Sequence, residues 1–161
     1  MIFIDTGSFI SRYISKDEYH SSSVRFWNQL KNSGERLFTS NFVPDETLTL
    51  PGRSGGYSFA AGKARNFYAS KIMVILRPSI EDEHKTVDIF EKYADQKISF
   101  TDCISFVLMK KHGIDKVFSF DRHFEYAGYL LLPKYLLRYN LPFLSVSVIA
   151  VMAVWNPDFQ E

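Results

Sequence analysis

At 161 residues the chain has the size of one domain, long enough to bury roughly two-thirds of its unfolded surface without a covalent staple. A hydrophobic fraction of 46% and a charged fraction of 23% exclude a disordered chain, and the single cysteine, Cys103, excludes an internal disulfide and a cysteine-built zinc site, which fits a reducing cytoplasm. The net charge of +1 excludes a uniformly basic scaffold but leaves room for a basic rim around an acidic centre.

The first residues, Met1-Ile2-Phe3-Ile4-Asp5, lack the basic start and long apolar core of a signal peptide. Ile2, Phe3 and Ile4 read instead as a short strand ending in Asp5. Tyr19, Val24, Phe26, Trp27 and Leu30 form a helical stripe within residues 17–31, and residues 36–39 read as a second strand. Pro44 suits the first turn of a helix that carries Glu46 and Leu48. The run Pro51-Gly52-Arg53-Ser54-Gly55-Gly56 is expected to break that helix. It lacks the Gly-Lys-Ser/Thr ending of a phosphate-binding loop, so it reads as a turn or hinge. A further helix follows from Tyr57 to about Ser70, then a strand over 72–76.

Ser79 is placed to cap a helix carrying Ile80, His84, Val87, Phe90 and Ala94. Residues 102–112 form another, with Cys103, Ile104, Val107 and Leu108 on one face and Gly113 ending it. Residues 116–120 read as a strand ending in Asp121, and 129–132 as the last strand. The aromatics Phe26, Trp27 and Phe90 are expected in the core rather than as base-stacking platforms. Residues 143–155 form an apolar stretch broken by Ser145 and Ser147. As a helix it would reach about 20 Å, short of the ~30 Å hydrocarbon core, so it is read as packed on the domain or as a dimer contact.

Strands separated by helices of a dozen or more residues pair in parallel through crossovers, which predicts a three-layer α/β domain with a mostly parallel sheet. Each acid at a strand end or helix start has an ordinary local explanation. Asp5 and Asp102 suit helix N-termini, Glu46 a helix first turn, and Asp121 an Asx-turn. A parallel sheet changes the weighing, because the loops and helix starts at its carboxyl edge are where open α/β folds build their sites. Asp5 and Asp121 end strands, and Glu46 follows one. Asp102 reaches that edge only if the segment before it crosses over. Gathered carboxylates repel unless a cation neutralises them. Oxygen ligands without cysteine suit Mg²⁺ or Mn²⁺, and such an ion takes phosphate oxygens as further ligands. A phosphodiester is the expected substrate.

Four segments carry a resemblance: Ile4-Asp5-Thr6-Gly7-Ser8-Phe9, Thr39-Ser40-Asn41-Phe42-Val43-Pro44-Asp45-Glu46-Thr47-Leu48, Ser99-Phe100-Thr101-Asp102-Cys103-Ile104-Ser105 and Val117-Phe118-Ser119-Phe120-Asp121-Arg122-His123-Phe124. In order and spacing they resemble the acidic segments of PIN-domain nucleases, over about residues 1–133, and the short chain is similar to VapC toxins of bacterial toxin–antitoxin pairs. Residues 134–161 depart from that pattern as a C-terminal extension. The resemblance implies that Asp5, Glu46, Asp102 and Asp121 surround one or two divalent ions, with Thr6 and Ser119 as nearby hydroxyls. It also implies hydrolysis to a 5′-phosphate and a 3′-hydroxyl. The implied substrate is structured RNA, transfer RNA among the candidates, and the implied partners are a VapB-like antitoxin and a second copy in a homodimer. Arg122 and Lys116, then Lys110 and Lys111, are the cations expected to steer the RNA backbone, with Arg12, Lys16, Arg53 and Lys63 behind them. Of the histidines only His123 lies close in sequence to the site.

Other readings fit less well. Haloacid-dehalogenase-like phosphatases need a second Asp two residues after the first, where this chain has Gly7, and a receiver domain needs an Asp after the third strand, where it has Arg77-Pro78. A PIN-like module that binds RNA or protein without cutting is the alternative from another class, and a PIN nuclease of RNA processing the alternative within the same one.

Overall fold

The computed structural model describes the backbone of residues 1–55 and 57–133, and the side chains of all of these but 50–55 and 59. The apolar stretch 143–155 and the extension 134–161 lie outside the described residues. Five strands, β1 (Ile2–Ile4), β2 (Leu37–Ser40), β3 (Met73–Leu76), β4 (Lys116–Phe118) and β5 (Leu130–Leu132), form one sheet in the order β3-β2-β1-β4-β5. Every pairing is parallel, with Ile2 opposite both Leu37 and Lys116. The central strand β1 is wholly buried, as expected of a parallel strand covered on both faces.

Helices α1 (Thr6–Tyr13) and α2 (His20–Leu30) link β1 to β2, and α3 (Phe42–Gly55) and α4 (Tyr57–Tyr68) link β2 to β3. The chain then reverses. Helices α5 (Ile80–Lys92) and α6 (Phe100–Lys111) lead past β2 and β1 to β4, and the single turn α7 (His123–Tyr126) leads to β5. Because crossovers are right-handed, this reversal puts α1–α4 on one face of the sheet and α5–α7 on the other. Connections leaving β1 and β4 diverge there, so the carboxyl ends of those two strands form the topological switch point.

Phe26 and Trp27 pack on Phe118 in the core, with ring centroids 4.7 and 5.4 Å away. The carbonyl of Ser8 accepts hydrogen bonds from Ser11, Ser23 and Trp27, and the Ser8 hydroxyl donates to the Phe118 carbonyl, which ties α1 to both α2 and β4.

Two expectations change. The expected break at Pro51 does not occur, since the backbone stays helical to Gly55. A proline removes one backbone donor without changing the helical φ, and packing of α3 on α1 and α4 outweighs the local preference. Phe90 is 44% exposed, with Ile80 and Val87 exposed beside it. The inward face of α5 is instead set by the polar pair Asp82 and Thr86.

Candidate active site

Asp5, directly after β1, is the N-cap of α1, where its Oδ2 accepts the Gly7 amide at 3.2 Å. The same oxygen accepts the Ser119 hydroxyl at 2.7 Å. Only 4% of Asp5 is exposed. Burial, and then the charge of Asp102, push its carboxyl up to about 7 from the ordinary 3.8.

Asp102 stands at the third position of α6 in a capping box with Ser99. Its Oδ2 accepts the Ser99 amide at 3.1 Å and the Ser99 hydroxyl at 2.7 Å, while its own amide donates to Ser99 Oγ at 3.0 Å. Burial raises its pKa, Ser99 opposes the rise, and the charges of Asp121 and Glu46 add to it. Helices α5 and α6 explain how Asp102 reaches the carboxyl edge. They run antiparallel. Lys111 late in α6 meets Asp82 early in α5 at 2.6 Å, and Phe90 late in α5 meets Phe100 at the start of α6 at 5.7 Å. Helix α5 thus supplies the crossover that the position of Asp102 requires.

Glu46, in the second turn of α3, accepts the Thr6 hydroxyl at 2.7 Å. Asp45 beside it is exposed. Asp121 follows β4 in an Asx-turn, its Oδ1 accepting the His123 amide at 2.9 Å, and its own amide donates to Ser119 Oγ at 3.0 Å. Asp102 is therefore the hub, its charge coupled to Asp5, Glu46 and Asp121. Asp5, Asp102 and Asp121 also keep the ordinary structural parts that their local sequence suggests, whereas Glu46 stands one turn further into its helix than expected. The two readings are not exclusive.

The donor set fits a hard divalent cation. Oδ2 of Asp5 accepts the Gly7 amide and the Ser119 hydroxyl, and Oδ2 of Asp102 accepts the Ser99 amide and hydroxyl. Among the described residues no group of three or more His, Cys, Asp or Glu side chains stands close enough to hold a metal ion by itself. Mg²⁺ needs only one or two carboxylates beside its waters.

The cations distribute differently from expectation. Arg122 is next to Asp121 and 66% exposed on the side chain. Lys116 is not brought to the site. It opens β4 at the opposite edge of the sheet, and its ammonium pairs with Glu35 at 3.1 Å. Lys111 pairs with Asp82 at the far end of α6, and Lys110 is exposed there. Arg12 lies over the Trp27 ring at 4.8 Å and Lys63 over Tyr13 at 4.6 Å. Lys16 is exposed, and the side chain of Arg53 lies outside the described residues. Two features escaped the sequence reading. Ser99 orients Asp102, and the pattern Ser-x-x-Asp before an apolar helix would have found it. The stacked rings of Tyr19 and Phe120 beside Asp121 join residues 101 positions apart and carry no local signal.

A family model described as PIN domain matches residues 2–128. The chain is 31% identical over 137 residues to the 23S rRNA-specific endonuclease VapC20 of Mycobacterium tuberculosis, a match covering 81% of this chain and 96% of that protein. It is 33% identical over 125 residues to a VapC ribonuclease of Archaeoglobus fulgidus, covering 76% and 78%. The crystal structure of Mycobacterium tuberculosis VapC20, described as a Sarcin-Ricin loop cleaving toxin, superposes with a TM-score of 0.73 at 28% identity, covering 81% of this chain and 97% of that one.

Proposed function

The chain belongs to the PIN-domain family, and from that premise we propose that it is an Mg²⁺- or Mn²⁺-dependent endoribonuclease, the toxin of a toxin–antitoxin pair. The observation that carries this reading is the hydrogen-bonded set of acids at the switch point of the sheet, where Thr6, next to Asp5, holds Glu46, and Ser119 joins the Asp5 carboxylate to the Asp121 amide, with Asp102 close enough for its charge to raise the Asp5 carboxyl. A site that only bound RNA would gain nothing from gathering negative charge where phosphate must lie.

Asp5, Glu46 and Asp102 would hold the ion or orient its waters, and Asp121 would complete or tune the set. When bound, the ion lowers the pKa of a water and neutralises charge on the phosphodiester. The hydroxyls fix the acids. Thr6 holds Glu46, Ser99 holds Asp102, and Ser119 holds Asp5 while its oxygen receives the Asp121 amide. Arg122 is the cation best situated to meet the RNA backbone.

The substrate is structured RNA. A relative named as 23S rRNA-specific, and the structure of that toxin described as cleaving the sarcin–ricin loop, favour large ribosomal RNA over transfer RNA. A VapB-like antitoxin would block the acidic groove, and the exposed stripe Ile80, Val87 and Phe90 on α5 supports a homodimer. The test is incubation of total RNA with the protein in Mg²⁺, Mn²⁺ or chelator, followed by mapping of the ends. Cleavage at defined positions, dependent on the ion and absent in Asp5→Asn, is expected. Cleavage that survives either change would overturn the reading.

A further inference from the structure

Beside the acidic cluster lies a cavity of about 500 Å³. Gly7 and Asp121, which touch the cluster, line it together with Tyr19, Phe120 and Arg122. The rings of Tyr19 and Phe120 stack with centroids 4.4 Å apart and planes 11° from parallel. Phe120 is half-buried and follows β4, so it gives the stack a rigid base. The Tyr19 backbone is tied down locally, its amide donating to Asp17 Oδ1 at 2.9 Å. With one ring face stacked on Phe120, Tyr19 is still 41% exposed.

We propose that this cavity is a base-binding subsite, in which an unpaired nucleobase flanking the scissile phosphate stacks on Tyr19. The proposal rests on the reading of the acidic cluster as an RNA-cleaving site. The volume suits a single nucleoside, since small-molecule sites run from about 300 to 1,000 Å³. An aromatic face held rigid at the edge of a phosphate-cutting centre is what a base needs, because every base has a π-face to offer. Among the described residues Arg122 meets Glu125 at 3.7 Å and the Tyr126 ring at 5.6 Å, and its side chain, 66% exposed, can reach the neighbouring phosphate. A base inside a duplex cannot present a face to Tyr19. The subsite therefore selects loops, bulges or flipped nucleotides over paired RNA.

The experiment uses the full chain and single-stranded RNA decamers carrying one 2-aminopurine at successive positions. Binding is followed by 2-aminopurine fluorescence with Ca²⁺ in place of Mg²⁺, and cleavage of the same decamers is followed separately with Mn²⁺. Stacking should quench the fluorescence at one position in the wild-type chain and in Tyr19→Phe. It should leave it unquenched in Tyr19→Leu, with affinity weakened roughly 5- to 150-fold, the factor carried by one base–aromatic stack. Tyr19→Trp, with a larger ring, should retain both, which separates loss of the stack from loss of the fold. Equal quenching and affinity in Tyr19→Leu would overturn the subsite while Mn²⁺-dependent cleavage left the nuclease reading standing. Tyr19-dependent quenching without cleavage would do the reverse. Failure of every decamer to bind would overturn the subsite.

Discussion

Asp5 shows how one side chain can serve fold and site together. As an N-cap it could be any short polar residue, yet it is buried and its carboxyl is pushed up to about 7. A carboxylate so placed opposes folding unless a cation neutralises it. Asp5→Asn keeps an oxygen to accept the Gly7 and Ser119 donors and removes the charge. We expect this variant to lose RNA cleavage while melting, without metal, no lower than the wild-type chain, as read by a gel assay and differential scanning fluorimetry. A drop of several degrees would show the charge to be structural. Ser119→Ala tests the hydroxyl that orients Asp5. Its Mn²⁺ affinity, measured by calorimetry, should fall roughly 10- to 100-fold with little change in melting, as partners of ligating groups usually do. Cys103 takes no part, since it is buried and burial pushes its thiol up to about 11.

At the scale of the element, α5 and α6 begin with the same device, a serine N-cap boxed with an aspartate three residues on, but the two aspartates differ in use. Asp102 is raised, by burial and by the charges of Asp121 and Glu46, and is one of the acids proposed for the site. Asp82 is lowered to about 2, first by the Lys111 hydrogen bond and then by the Ser79 amide. A carboxylate whose folded pKa lies below its unfolded value stabilises the fold above the unfolded pKa, near 3.8, and loses that contribution as pH falls through about 2. Asp82→Ala should cost about 0.5–2 kcal/mol at neutral pH through loss of the cap, more if Lys111 is left without its partner. The difference from wild type in urea unfolding should shrink between pH 4 and 2. A difference that persisted unchanged at pH 2 would show that the charge of Asp82 is not what holds α5 to α6. The serine cap of α5 was legible in the sequence because Ser79 precedes a periodic run. The exposure of its apolar stripe was not, because periodicity marks an apolar face without saying what covers it.

For the whole molecule, the apolar stripe exposed on α5 is the surface on which the proposed dimer rests. Val87→Glu should therefore shift the chain from dimer to monomer in light scattering after size exclusion, with secondary structure unchanged. A wild-type chain that is monomeric at all concentrations would remove the dimer from the proposed function. The sequence by itself determined the five strands, most of the helices and the parallel α/β class, because strand and helix periods, caps and turn residues act over a few positions, whereas the four acids were picked out by their resemblance to PIN-domain segments. Tertiary structure alone decided three things. It carried α3 through Pro51 to Gly55, since packing outweighs a local breaker. It sent Lys116 to the far edge of the sheet, since the two ends of one strand face opposite sides of a domain. And it set Asp102 among the other acids and Tyr19 on Phe120, since both depend on chain reversals that join residues too distant for any local pattern to register.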